Sequence, residues 1–365
     1  MKAAVLALFL NYGVNSQKTN CPVLDPSLSG KMPALEKLVD LCHNDPEALV
    51  EELVSSPIAA VAKELNVESR QQLKTSDTDN WPIVTAHGMG DSCFNAGMQS
   101  VTEEAGAEMG VYSVCIPTGD TRISDTINGF FLDMDSSVDV FAEKVRADPQ
   151  LANGFNAFGL SQGNNLIRGY IAKYNDPPVY TFMSICGINA GVGAFPDCSP
   201  QNKVIGSACE ALTEVLSTLA YTQLAQNILF QADYFRDPSK TNTTQYMSLS
   251  QLAAWENEGD YVNQTFNENF AITQQYVWVL GTEDTVVWPR EGEWWGAMDP
   301  NDPWNTVLPM NETKWYQEDS FGLRSADEAG KNNFESFDGQ HIAFTTDELM
   351  YWLDTYFGTP VSNSV

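Results

Sequence analysis

From residue 82 to residue 357 the chain alternates short apolar runs with longer stretches of helical period. Residues 82–86, 111–116, 179–185 and 275–280 are rich in β-branched and aromatic residues, the composition of buried strands. Residues 98–107, 138–147 and 346–357 repeat apolar positions at three- and four-residue spacing, which predicts helices. Near-continuous apolar strands between helices predict an α/β class with a mostly parallel central sheet covered on both faces. Residues 154–165 join the two patterns. Phe155, Ala157 and Phe158 form a short strand pattern, Gly159-Leu160-Ser161-Gln162-Gly163 follows, and the stretch to Tyr174 continues as a helix. Between residues 190 and 273 the alternation lapses into helical stretches at 208–219 and 224–234. This predicts a helical insertion over the carboxyl edge of the sheet, where ligand sites of open α/β sheets lie.

The segment before this domain has a different pattern. Residues 33–42 place Leu35, Leu38, Val39 and Leu41 on a helical face, and Asp45-Pro46 opens a second helix with proline in its first turn. Residues 59–67 form a third apolar-periodic stretch and 71–80 a polar linker. The expected organisation is a signal peptide at 1–16, a helical appendage and linker at 17–80, and a catalytic domain at 81–360 with its insertion at about 190–273. Met1-Lys2 followed by an apolar run to Leu10 and small, polar residues to Ser16 is the signal-peptide pattern. That run is too short to span a bilayer, and no later one reaches the ~18 residues of a transmembrane helix.

The secretory reading changes how the sequons and cysteines are read. Asn242, Asn263 and Asn311 each begin an Asn-x-Thr sequon, so glycosylation is expected at all three. Seven cysteines permit disulfides in an oxidising compartment. Cys198 and Cys209 bracket a loop with Pro200, Asn202 and Gly206 and are expected to pair, and Cys21 with Cys42 is a second candidate pair. Cys93, Cys115 and Cys186 have no evident assignment. No Cys-x-x-Cys or His/Cys cluster suggests a metal site, and no cofactor is expected. The 365 residues include 19 basic and 48 acidic ones, a formal charge of −29. That balance argues against nucleic acid or an anionic membrane as the main partner, since phosphate binding needs Lys/Arg patches.

The glycine spacing around Ser161 is that of a nucleophile elbow, a sharp strand-to-helix turn that exposes a serine hydroxyl. Such a serine needs a base, and the base an orienting acid. In the α/β-hydrolase fold their order is serine, acid, histidine. Of the three histidines, His43 and His87 precede the elbow, and His341 alone follows it. His341 is therefore the expected base. The acid should follow the strand at 275–280, which selects Asp284, with Glu283 as runner-up and Asp319 and Asp327 as more distant alternatives. The oxyanion hole needs two backbone N–H groups. Gln162 follows the nucleophile, and the loop His87-Gly88-Met89-Gly90 after the first strand offers Met89. His87 is expected to orient that loop.

At these residues the chain resembles the palmitoyl-protein thioesterase family. The resemblance runs through His87-Gly-Met-Gly-Asp-Ser-Cys93, Asn156-Ala-Phe-Gly-Leu-Ser-Gln-Gly163, Phe195-Pro-Asp-Cys198 with Cys209, Gln231-Ala-Asp-Tyr234 with Asp237-Pro238, Glu293-Trp-Trp-Gly296, residues 316–323 and the His341 loop. It implies a lysosomal α/β hydrolase that removes thioester-linked long-chain acyl groups from cysteines of lipidated proteins. It implies Ser161 as nucleophile, Asp284 as acid and His341 as base, with Met89 and Gln162 at the oxyanion hole. It also implies that the insertion after Ile188 holds the acyl chain. The chain departs from the family where Phe94 follows Cys93, where Ala142 and Asn175 stand near an expected disulfide, and in the appendage at 17–80. Two other classes fit the residues: an acyl-CoA thioesterase or carboxylester lipase with the same triad, and a non-catalytic lipid-binding protein.

Overall fold

The computed structural model describes residues 21–55 apart from 25, 27 and 28, together with residues 81–195, 207–259 and 262–358. The expected signal peptide, the third appendage stretch at 59–67, the linker at 71–80 and Cys198 lie outside these residues. The central sheet holds six strands: β1 (Ile83–Ala86), β2 (Ser113–Cys115), β3 (Phe155–Leu160), β4 (Val179–Ile185), β5 (Gln275–Gly281) and β8 (Asn332–Phe337). Their order is β2-β1-β3-β4-β5-β8. Every pairing is parallel. A two-stranded hairpin of β6 (Ala297–Met298) and β7 (Val307–Leu308) stands apart.

Alternate residues of each central strand bury on opposite faces. Val84, Ala86, Phe155, Ala157, Phe182, Tyr276 and Trp278 face one core, with residues of the helices Met134–Ala147 and Gly163–Lys173. Ile83, Phe158, Leu160, Met183, Ile185, Val277 and Val279 face the other, with residues of Ala96–Met109 and Thr346–Tyr356. Both faces being apolar is why the strands read as continuous hydrophobic runs. The chain leaves β1 for β2 on one side and returns to β3 on the other. Such a reversal opens a crevice at the carboxyl ends of the two strands. Ala86 pairs with Gly159 there, so the loops after β1 and β3 start side by side.

Several expectations change. The helix Arg122–Phe131, the hairpin and the edge strand β8 were not anticipated. The strand expected at 111–116 is only Ser113–Cys115. The helix expected at 224–234 breaks into Gln223–Ile228 and Phe230–Asp233, because Leu229 adopts an extended conformation between them. Cys93 and Cys115, unassigned from sequence, form a disulfide, as do Cys21 and Cys42. Cys209 is disulfide-bonded, and Cys186 is free and buried.

The appendage helices Pro33–Asn44 and Pro46–Val54 share one apolar cluster with the insertion. Leu35, Leu38, Leu49 and Leu53 join Phe130, Phe131, Leu212, Val215 and Leu216. Glu214 of the insertion helix Ser207–Thr218 accepts from Ala34 N (3.3 Å) and Leu35 N (3.2 Å). A carboxylate there satisfies two orphan donors at a helix N-terminus and complements the helix dipole.

The insertion in turn sits on the helix after Ser161. Arg168 of that helix lies 3.7 Å from Glu256. Glu256 also pairs with Arg236, which reaches Glu258 at 2.6 Å. Buried charges persist only when paired in this way. Among the described residues, no helix is long and apolar enough to cross a membrane. Leu49 is fully buried, so Leu49→Ala should destabilise the whole protein by about 3 kcal/mol in a single cooperative urea transition. A transition in which the appendage melts separately would contradict this packing.

Candidate active site

The site begins with one backbone angle. Ser161 lies at φ +54°, in the left-handed region that side-chain-bearing residues avoid. It is held there by Ser161 N donating to Ile185 O (3.0 Å) and by the Asn164 amide donating to both Ser161 O and Ile185 O, each at 3.0 Å. The turn closes because Gly159 and Gly163 lack side chains. A Cβ on Gly159 would meet Asn164, and one on Gly163 would collide with the carbonyl oxygens of Ala86 and His87. The second glycine thus lets the helix approach the end of β1, where the loop carrying Met89 starts.

Ser161 Oγ lies 2.8 Å from His341 Nε2, and His341 Nδ1 lies 2.5 Å from Asp284 Oδ2. The three come from the turns after β3, β5 and β8. Asp284 Oδ1 accepts from Val286 N (2.7 Å) and Val287 N (3.0 Å). Burial works against the Asp284 charge, but the bonds from His341 and Val287 N prevail and lower its pKa. Glu283, the runner-up, is exposed. Asp327 accepts from Tyr316 (2.7 Å) and Asp319 from Ser325 N (3.1 Å), both within their own segment. Among the described residues, no acceptor takes the N–H of Met89 or of Gln162.

Two buried carboxyls to which the sequence reading gave no role support these parts. Glu293 is wholly buried beside Asp284 and accepts from Gly281 N (3.1 Å). Burial first, and the neighbouring Asp284 charge second, push its carboxyl pKa well above the usual carboxylate range. The other is Asp125, which is fully buried beneath the loop after β1 and accepts from Cys93 N, Ser92 Oγ, Thr118 N and Gly119 N at 2.7–3.1 Å. His87 Nε2 lies 3.2 Å from Asp125 and His87 Nδ1 lies 2.9 Å from Gly88 O. Both ring nitrogens face acceptors, so both carry protons. Burial pulls the imidazole pKa down, but the Asp125 carboxylate overrides it and raises the value to about 9. His87 thus holds the loop as an imidazolium, consistent with an orienting role.

A family profile described as palmitoyl protein thioesterase matches residues 82–341. The chain belongs to the palmitoyl-protein thioesterase family. Palmitoyl-protein thioesterase 1 of Caenorhabditis elegans is 32% identical over 73% of this chain and 87% of that protein. Palmitoyl-protein thioesterase 3 of Dictyostelium discoideum is 31% identical over 68% and 81%. The human lysosomal thioesterase PPT2 is 24% identical over 67% and 76%. Among solved structures, a Bacillus licheniformis lipase superposes with a TM-score of 0.39 at 14% identity, covering 78% of this chain and 94% of that one. The appendage helices lie outside the stretch matched to the thioesterase family.

The His87 imidazolium has a consequence for pH. Its folded-state value lies above the ordinary one, so the stability it contributes is whole below about 6.5 and is lost as pH rises through about 9. Melting temperature should decline across that window, and the decline should be smaller in His87→Gln. An equal decline in both proteins would remove His87 as its source.

Proposed function

We propose that this chain is a palmitoyl-protein thioesterase that hydrolyses long-chain acyl thioesters on cysteines of lipidated proteins, with Ser161 as nucleophile, His341 as base and Asp284 as acid. The observation that carries the reading is the unbroken hydrogen-bond chain Asp284–His341–Ser161, within a stretch matched to the thioesterase family. His341 Nε2 takes the Ser161 Oγ proton as Oγ attacks the thioester carbonyl carbon. The oxyanion forms against the N–H groups of Met89 and Gln162. Its collapse breaks the C–S bond, and the thiolate leaves and takes the proton from His341. With an ordinary thiol pKa of about 8.5, a cysteine thiolate departs more readily than an amide nitrogen. A water that gives its proton to His341 then attacks the acyl-serine ester. The fatty acid leaves and Ser161 regains its proton. Asp284 holds the His341 tautomer throughout and balances the imidazolium.

The remaining organisation follows from the sequence. Residues 1–16 act as the signal peptide, 17–80 as an appendage whose helices Pro33–Asn44 and Pro46–Val54 brace the insertion, and 81–360 as the catalytic domain, whose insertion at about 190–273 takes the acyl chain. The protein enters the secretory pathway and works in the lysosome or outside the cell on S-acylated proteins or peptides. Asn242 and Asn311 are exposed and are the favoured glycan sites. Asn263 is half-buried and caps a helix by accepting from Thr265 N (3.1 Å). A glycosidase should shift the mobility of secreted protein, and Asn242→Gln with Asn311→Gln should remove most of that shift. An unchanged shift would reassign the glycans.

Ser161→Ala should lower hydrolysis of an S-palmitoyl peptide by about 10⁴-fold or more with an unchanged melting temperature, and should abolish labelling by a fluorophosphonate probe. Undiminished turnover would overturn the assignment. Among S-palmitoyl peptide, palmitoyl-CoA and a glyceride, the peptide should give the highest kcat/KM. Preference for the CoA ester or for the glyceride would replace this reading with the acyl-CoA thioesterase or the lipase.

A further inference from the structure

The side chain of Gln162 has no freedom. Its Nε2 donates to Gly129 O (2.8 Å), and its Oε1 accepts from Gln231 Nε2 (2.8 Å) and Tyr234 OH (3.1 Å). Gln231 Nε2 donates to the same Gly129 O (2.8 Å). Gln231 and Tyr234 are wholly buried and belong to the insertion. Beside them Asp233 Oδ2 accepts from Met134 N (2.6 Å) of the catalytic domain. Tyr234 is fixed through its backbone, since its carbonyl accepts from Val192 N (3.0 Å). Its hydroxyl also lies 3.9 Å from Met89 Sδ. One insertion side chain therefore touches both Met89 and Gln162.

We propose that Gln231 and Tyr234 are positioning residues of the oxyanion hole: they clamp Gln162 and Met89 from the insertion, so that the hole is in register only while the insertion is seated. This rests on the reading of Met89 and Gln162 as the oxyanion donors. The clamp is polar, buried and attached to nothing that reacts. Its place in the catalytic cycle is to hold two N–H groups steady as the charge develops between them. Oxyanion donors act through preorganisation, and small misplacements at such sites are costly. Gln231→Leu removes one of the two donors to Gln162 Oε1 and one of the two to Gly129 O. Tyr234→Phe removes a single hydroxyl and keeps the ring.

The test uses the full chain and two probes. A long-chain trifluoromethyl ketone adds to a serine nucleophile and carries the oxyanion, whereas a palmityl thioether peptide mimics only the ground state. We expect kcat on S-palmitoyl peptide to fall about tenfold in Tyr234→Phe and up to about a hundredfold in Gln231→Leu, with KM within about twofold. Ketone affinity should fall by the same factor as kcat/KM, and thioether affinity should stay unchanged. Should Gln231→Leu fail to fold, Tyr234→Phe alone decides. Unchanged kcat and ketone affinity in the variants would overturn the clamp. Thioether affinity falling in step with kcat would overturn it too, by making these residues part of the acyl-chain wall. A wild-type protein that forms no ketone adduct would overturn the oxyanion-hole reading itself, a separate and earlier failure.

Discussion

The left-handed backbone at Ser161 is the constraint on which the rest of the molecule depends. A residue with a side chain reaches φ +54° only when its surroundings over-determine it. Here they do so through Ile185 O, the Asn164 amide and two glycines that admit close approach. The same closeness presses the helix start against the end of β1. That brings the Met89 loop beside Gln162 at the crevice where the sheet reverses. The neighbouring strands β5 and β8 then deliver Asp284 and His341 to the same edge. The hydrogen-bonded chain of Asp284, His341 and Ser161 follows from where three parallel strands end, more than from any contact its members make alone.

Much of this was legible in the sequence. The spacing of Gly159 and Gly163 around Ser161 gains its meaning from the apolar strand pattern before it and the helical stretch after it, and His341 is the only histidine that follows. Asp284 could be found because β5 is strongly apolar and the turn follows it at once. Glu283, next to it, points to solvent. Strand β8 escaped notice because it is an edge strand of sequence Asn-Asn-Phe-Glu-Ser-Phe, in which only Phe337 is buried. Polar edge strands carry little periodic signal. The pairing of Cys93 with Cys115 was equally hidden. It depends on β1 lying beside β2, with Thr85 opposite Cys115, and register of that kind is a tertiary fact. The helix Arg122–Phe131 was obscured by the polar residues it buries, Ser124, Asp125, Thr126 and Asn128.

Those buried polar groups share a logic. Asp125 beneath His87, Glu293 beside Asp284, and Gln231 with Tyr234 around Gln162 all lie one layer behind a group of the proposed mechanism. Each would be expensive to bury without partners. Each makes a bond to a neighbour whose position the chemistry needs, so part of the cost of burial is offset by bonds that also fix geometry. The insertion has a comparable double role. It is anchored on the helix after Ser161 through Arg168, Glu256 and Arg236, and the appendage helices brace its other side.

The central claim is that acyl transfer passes through Ser161. Its most direct test is rapid quenching of the enzyme with S-palmitoyl peptide, followed by peptide mass analysis. The account predicts one palmitoyl group in ester linkage on the peptide carrying Ser161, appearing before free palmitate and decaying as it accumulates. Palmitate released with no acylated serine, or an acyl group found instead on the buried thiol of Cys186, would contradict it.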